Sequence, residues 1–368
     1  MNSQLLYQLA LTEIPNIGWV QAKILAQHFG EAEKIFKAKH SLLEKIEGIG
    51  LVRANSIKIF HDFSNAEKEI KFIEKFKIKP LFVCDKDYPQ RLLNCYDSPT
   101  LLFYKGTADL NATKIVSIIG TRTHTEYSKK MTDKLIEELS AQNILIVSGM
   151  AFGVDATAHK AAVKNHLPTV GVLGHGLDQI YPPHHSNLAE DMVKNGGGLL
   201  TEFRSQTKPD KHNFPTRNRI VAGMSDATIV IESGIKGGSM VTAELANGYN
   251  KDVFAFPGKV TDNKSAGCNY LVKSNKAMLL TDAQQLIEIM GWEEKQQKPK
   301  NKSQKEIFIE LSKEEKIIVD ILQEKETVHI DEINLRSGLS SSTIAAAILN
   351  LELQNVVNGL PGKIYKLS

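Results

Sequence analysis

Ile115-Val116-Ser117-Ile118-Ile119-Gly120-Thr121-Arg122 decides the fold. A continuous β-branched run ends at a glycine, and a helical pattern follows to about Leu139. The same order then recurs along the chain. Ile144–Val147 leads into Ser148-Gly149-Met150-Ala151-Phe152-Gly153 and a helix through His159 and Val163, and Thr169–Leu173 ends in Gly174-His175-Gly176. Leu199–Thr201 precedes a basic segment. Ala227–Ile231 runs through Glu232-Ser233-Gly234-Ile235-Lys236-Gly237-Gly238-Ser239 into a helix over Val241–Tyr249, and Val253–Phe256 stops at Pro257-Gly258. Continuous apolar strands alternating with helices predict an α/β fold with a parallel sheet covered on both faces. Such sheets bind ligands outside the carboxyl ends of their strands. Gly120, Gly149, Gly153, Gly174, Gly176, Gly237 and Gly238 are expected to converge there. Glycine lets backbone N–H groups approach phosphate oxygens, and each following helix offers its N-terminus. The chain has neither a G-x-G-x-x-G opening the sheet nor a G-x-x-x-x-G-K-[ST], so no nucleotide cofactor is expected.

The basic segment is Lys208 to Asp226, K-P-D-K-H-N-F-P-T-R-N-R-I-V-A-G-M-S-D. Pro215 suits a first helical turn, and Ile220, Val221 and Met224 continue a helical apolar period. Arg217 and Arg219 then fall near a helix start, where cations oppose the dipole unless an anion docks between them. Phe214 beside these cations suggests an anion whose bases stack. The plainer alternative is a solvated basic turn with Phe214 plugging the edge of a core.

Composition bounds the function. The chain of 368 residues is 42% hydrophobic and 24% charged, as in ordinary soluble proteins, and carries a formal net charge of +3. Any attraction to a polyanion therefore comes from a local patch. Cys84, Cys95 and Cys268 have no metal or redox spacing, which points to a reducing compartment. Met1 to Ala10 lacks a charged leader region, and no apolar run approaches the ~20 residues of a membrane span. A cytoplasmic protein with no membrane association is expected.

Four stretches organise the chain: residues 1–64, 65–290, 291–306 and 307–368. In the first, Ile14-Pro15-Asn16-Ile17-Gly18 and Ile46-Glu47-Gly48-Ile49-Gly50 each open a helix. This echo fits a helix-hairpin-helix, which offers backbone N–H groups to phosphates, or a sterile-alpha-motif-like bundle that uses glycine in its turns. Lys77–Val83 fits a strand, and Pro99–Phe103 reads as an extended connection. Trp292 onward is rich in Lys and Gln and reads as a linker. Residues 308–368 fit a winged helix whose third helix, Ser340–Leu353, holds no Lys or Arg; an accessory or protein-contact role is expected over duplex reading.

Several of these motifs occur in one order: Ile119-Gly120-Thr121-Arg122, Ser148 to Asp155 with Ala158-His159, and Phe214-Pro215-Thr216-Arg217-Asn218-Arg219-Ile220. Gly237-Gly238-Ser239-Met240-Val241-Thr242-Ala243, Phe256-Pro257-Gly258 and Gly267-Cys268-Asn269 follow. Together they resemble the DNA-processing protein A family (DprA, also called Smf), over about Tyr88 to Ala277. The resemblance implies a Rossmann-like core that binds single-stranded DNA, a homodimer, and loading of RecA recombinase onto incoming strands past single-strand-binding protein in natural transformation. It carries strand binding to Arg122, Lys211 and Phe214, and matches Arg217, Asn218 and Arg219 to the family signature. Gly120, Thr121, Ser148, Gly149, Gly153, Asn213, Gly237, Gly238 and Ser239 complete the candidate DNA contacts. Thr121 stands where the family often has serine, and Gly237-Gly238-Ser239 where Ser-Gly-Ser is common.

Other constellations point elsewhere. His175, His184 and His185 read as surface residues and not as metal ligands, so no metal is expected. Asp155 and His159 read as a local i,i+4 contact. Tyr181, Trp19 and Trp292 read as packing residues. An enzymatic alternative rests on Gly237 to Glu244, which partly echoes a nucleoside-monophosphate N-glycosidic hydrolase with Glu244 as acid or base. Met240 and the register of Thr242 depart from that pattern.

Overall fold

The computed structural model describes residues 3–293 and 311–367, apart from 326, 355, 361 and 362. Six short helices open the chain: α1 (Ser3–Leu11), α2 (Trp19–Phe29), α3 (Ala32–Lys37), α4 (His40–Glu44), α5 (Gly50–Ile59) and α6 (Ser64–Phe76). Leu9, Leu25, Ile35, Leu43, Ala54 and Ile57 are buried between them. The two echoed turns are tied by Arg53, whose Nε donates to Asn16 O at 3.1 Å and whose Nη1 donates to Gly48 O at 3.1 Å.

The sheet follows, with β1 (Lys79–Phe82), β2 (Leu101–Gly106), β3 (Ile115–Ile119), β4 (Leu145–Ser148), β5 (Thr169–Val172), β6 (Gly198–Thr201), β7 (Ala227–Val230), β8 (Asp252–Ala255) and β9 (Met278–Leu279). The strand order is β1-β2-β6-β5-β4-β3-β7-β8-β9. From β6 to β9 neighbouring strands are parallel, while β2 joins β6 antiparallel and carries β1 as a hairpin partner. The stretch expected to be an extended connection is therefore a strand from Leu101. Leu102 and Phe103 are buried there because β2 covers the edge that β6 would otherwise expose.

Between the strands lie α7 (Gln90–Leu93), α8 (Glu126–Leu139), α9 (Val154–Lys164), α10 (Ser186–Lys194), α11 (Asn213–Gly223), α12 (Gly238–Gly248), α13 (Ala266–Lys273) and α14 (Ala283–Ile289). Side chains alternate across β3. Val116 and Ile118 pack with Leu135, Ala158 and Leu286 on one face; Ile115 and Ile119 pack with Ile220, Ala243 and Leu271 on the other. The second cluster runs on into the N-terminal helices, and the first 293 residues make one compact unit. Lys23 fastens the hairpins to the sheet domain, donating to Leu93 O at 2.7 Å, Cys95 O at 2.9 Å and Ser98 Oγ at 3.1 Å.

The order of connection reverses at β3. The chain steps from β3 to β6 on one side, then returns to β7 on the other. The loops after β3 and β7 separate there and leave a crevice outside the strand ends.

The second unit has its own core of Ile318, Leu322, Ile333, Ile344, Ile348 and Leu351. It comprises α15 (Lys313–Gln323), β10 (Val328–His329), α16 (Ile330–Ser337), α17 (Ser341–Leu353), β11 (Val357–Leu360) and β12 (Ile364–Leu367), with antiparallel strand order β10-β12-β11. Ser312 and Ser340 cap α15 and α17 through their hydroxyls. This is the winged helix expected from the sequence. The expected linker lies, from residue 294, outside the described residues. No helix among the described residues is long and apolar enough to cross a membrane.

Candidate functional site

The crevice at the β3/β7 divergence has a volume of about 690 Å³. Its first wall is the turn after β3. Thr121 N donates to Glu232 O at 2.7 Å, and the Glu232 carboxylate accepts from Thr125 Oγ1 at 2.6 Å and Thr125 N at 3.0 Å. Thr125 in turn caps α8. The turn is thus clamped at both ends while Arg122, between them, stays exposed. The Arg122 guanidinium lies 5.7 Å from the Phe214 ring centroid, within cation–π reach.

The second wall is Gly149 to Gly153. Gly153 has φ +82, and a Cβ there would overlap Thr121 O and the Arg122 carbonyl, so only glycine lets the two turns interlock. At Gly149 a Cβ would overlap Arg217 Nη1 and Asp155 Oδ2, which form the crevice floor. Burial raises the Asp155 carboxyl and lowers the Arg217 guanidinium, each partly offset by the other's charge. Arg217 Nη1 donates to Val172 O at 2.8 Å, and its buried Nε has no partner.

The third wall is Ser233 to Ser239, which runs into α12. Ser233 Oγ and Ser239 Oγ are 2.8 Å apart, and Asn218 Nδ2 donates to Gly238 O at 3.3 Å. Gly237 and Gly238 are exposed, so the start of α12 faces the crevice with its unbonded N–H groups. The fourth wall is the basic segment, with Lys211 exposed and Phe214 half-buried. Neither Arg122 nor Lys211 forms an ion pair among the described residues. Cations, a ring face and free amides thus meet in one place, which suits a phosphate chain carrying flat groups.

The model of the DNA recombination-mediator protein A family matches residues 79–291, and that of the DprA winged helix domain matches residues 305–363. This chain belongs to that family. A helix-hairpin-helix motif matches residues 5–70, which decides between the two readings of the echoed turns. Protein Smf of Synechocystis sp. is 31% identical over 403 residues, covering 99% of each chain. The DNA processing protein DprA of Streptococcus pneumoniae is 38% identical over 226 residues, covering 61% of this chain and 77% of its own. The crystal structure of the pneumococcal protein superposes with a TM-score of 0.66 at 30% identity, over 77% of this chain and 97% of the other. DNA processing protein A of Helicobacter pylori superposes with a TM-score of 0.53 at 33% identity, over 58% and 96%. The Helicobacter structure is described as showing a unique single-stranded DNA binding mode.

Gly120, Thr121, Arg122, Gly149, Lys211, Phe214, Arg217, Asn218, Gly237, Gly238 and Ser239 all line the crevice. Four expected contacts do not. Ser148 is buried beneath the second turn and donates to Ile118 O at 2.6 Å. Gly153 serves the interlock described above. Asn213 opens α11 and donates from Nδ2 to Lys208 O at 3.4 Å.

Arg219 is the main correction. On an α-helix, residues two apart diverge by about 200°, so Arg219 points away from Arg217. It pairs with Glu202, donates to Asp97 O and lies 4.0 Å from the Trp19 ring centroid. No anion docks between the two arginines. Gly176 also leaves the crevice, since it packs on Arg204 and Ser205.

Three further readings change. Asp155 and His159 turn to different partners: His159 Nδ1 meets Thr169 Oγ1 at 2.7 Å and Nε2 meets Gly149 O at 2.6 Å. His175 and His185 are buried against backbone carbonyls and are not surface residues. Tyr181, expected to pack, lines the crevice with its ring half exposed. Lys236, exposed between Gly234 and Gly237, also lines it and was missed; its place inside a glycine loop was the available signal.

Proposed function

We propose that the crevice binds single-stranded DNA, with Arg122 and Lys211 on phosphates, the start of α12 on a further phosphate, and one base against Phe214. The single observation that carries this reading is the meeting of Arg122, Lys211 and Phe214, drawn from separate segments, on one crevice faced by free helix amides. The family membership and the Helicobacter relative's described binding mode support it. By the same relationship, the chain protects incoming strands and loads RecA recombinase onto them past single-strand-binding protein. It acts as a cytoplasmic homodimer in natural transformation. The winged-helix unit is assigned an accessory role, because α17 carries no Lys or Arg to enter a groove.

The protein acts in this reading as a binder and not as a hydrolase. Glu244, which the N-glycosidic reading needed as acid or base, is ion-paired with Lys276 at 3.3 Å and lies outside the crevice lining. The test is an anisotropy titration of single-stranded and duplex oligonucleotides across a salt series. Tighter, salt-dependent binding of the single strand is expected. Equal affinity for both, or affinity indifferent to salt, overturns the reading.

A further inference from the structure

We infer that a recess beside the crevice takes one unpaired base of the bound strand; this rests on the single-strand reading above. Phe152, Tyr181 and Phe214 wall the recess, with Leu173 and Pro182 behind them. Arg122, Tyr181, Phe214 and Arg217 line crevice and recess alike, so a strand whose phosphates lie in one has a base within reach of the other.

The rings are placed for contact and are not packed away. Phe152 and Tyr181 are 47% and 48% exposed. Phe152 is held edge-on to His185, with centroids 4.9 Å apart, and His185 is anchored by Nδ1 to Met150 O at 2.9 Å. Tyr181 lies 6.0 Å from Phe214 with 30° between the ring planes, so the two faces form a shallow step. Such a step suits a flat heterocycle that has left a helical stack.

Two polar groups of the recess are held by the protein itself. His175 Nδ1 bonds Gly176 O at 2.9 Å, and its Nε2 accepts from Tyr181 N at 3.3 Å. Burial also lowers the pKa of His175, which favours its neutral ring. Arg217 Nη1 is held by Val172 O. With three ring faces on offer and few free polar groups, the recess holds a base chiefly through its flat face. Its volume of about 70 Å³ admits the edge of one ring. A base still paired in a duplex cannot turn into it, so the recess adds to discrimination between single strands and duplex.

The experiment compares a thymidine oligomer with an abasic oligomer of equal length, by anisotropy, for the full-length protein and for Phe152→Leu and Tyr181→Leu. Wild type is expected to bind the thymidine strand about 5- to 140-fold more tightly, the range for one stacked base. Each leucine variant is expected to cut that ratio by about threefold or more, with the salt slope kept. The preserved slope reports an intact crevice. A wild-type ratio near one, or variants that leave the ratio untouched, overturns the recess as a base site. A changed slope in the leucine variants also overturns it, since the rings then shape the phosphate track. If wild type binds neither strand, the single-strand reading itself falls.

Discussion

Replacing Arg219 and Lys211 separately by methionine is predicted to have opposite consequences, although both belong to one basic segment. Arg219 and Glu202 form an ion pair with side chains only 5% and 6% exposed. Burial pushes the Glu202 carboxyl up to about 7 even with the guanidinium beside it. Removing Arg219 leaves that carboxyl buried without its cation, and losing one member of a buried pair costs about 3–5 kcal/mol. Against a typical stability of about 5–15 kcal/mol, this is a large share. Strand affinity per folded molecule and its salt slope should stay as in wild type. Lys211 is exposed, so its loss should move stability by less than about 0.5 kcal/mol. It should instead lower the salt slope for a single strand by about 0.7, which is about 2.6-fold less change in affinity between 50 and 200 mM salt. Urea unfolding and anisotropy across salt measure both quantities. Combining Arg219→Met with Glu202→Met should restore most of the stability, because an apolar pair replaces an orphaned charge. An Arg219→Met protein of wild-type stability with a reduced salt slope would refute the division of the cations drawn here.

Other outcomes follow from the same geometry. Phe214→Ala should weaken single-strand binding by about 1–3 kcal/mol without changing the salt slope; unchanged affinity would make the ring a plug for the core. Gly149→Ala places a methyl group on Arg217 and Asp155, so it should cost about 1–3 kcal/mol of stability and weaken strand binding. A variant equal to wild type in urea unfolding and in titration would show that the floor yields. His159 is fully buried, and desolvation lowers its pKa from 6.5 to about 4. The fold therefore favours the neutral ring. Its contribution is complete above pH 6.5 and is lost as the pH falls through about 4, amounting to about 3 kcal/mol. Urea unfolding at pH 7 and pH 4 should show that loss in wild type and a smaller one in His159→Gln, and equal losses would remove His159 as its source.

The sheet was legible because parallel strands buried on both faces read as unbroken apolar runs, as Ile115–Ile119 does. β2 was not, since Leu101-Leu102-Phe103 after Pro99-Thr100 reads the same whether it pairs or merely connects. In the site, Arg122, Lys211, Gly237 and Gly238 were found because each sits in a turn at a strand's carboxyl end, where topology alone sets the address. Tyr181 was missed because its exposure depends on how the 176–182 turn folds back over Phe214, and no local pattern records that. The partners of His159 come from β5 and the Gly149 turn, so i,i+4 spacing suggested a contact that tertiary bonds replaced.

Arg219 shows where local reading stops and helical phase takes over. Phe214, Pro215, Arg217, Asn218 and Val221 of α11 line the crevice, while Arg219 is turned to the Trp19 ring at the start of α2. Helical geometry forces this division, since a side chain two positions along faces the opposite way. The same helix is therefore held from behind by the hairpin region and presents its front to the ligand. Arg217 needs no second arginine to hold a position at the floor, because Val172 O and the Asp155 charge fix it from the sheet side. Density of positive residues in a sequence thus overstates the charge available to a ligand. The free cations are those that phase and topology leave without an ion pair among the described residues: in this segment Lys208 and Lys211, with Arg122 and Lys236 on the other walls of the crevice.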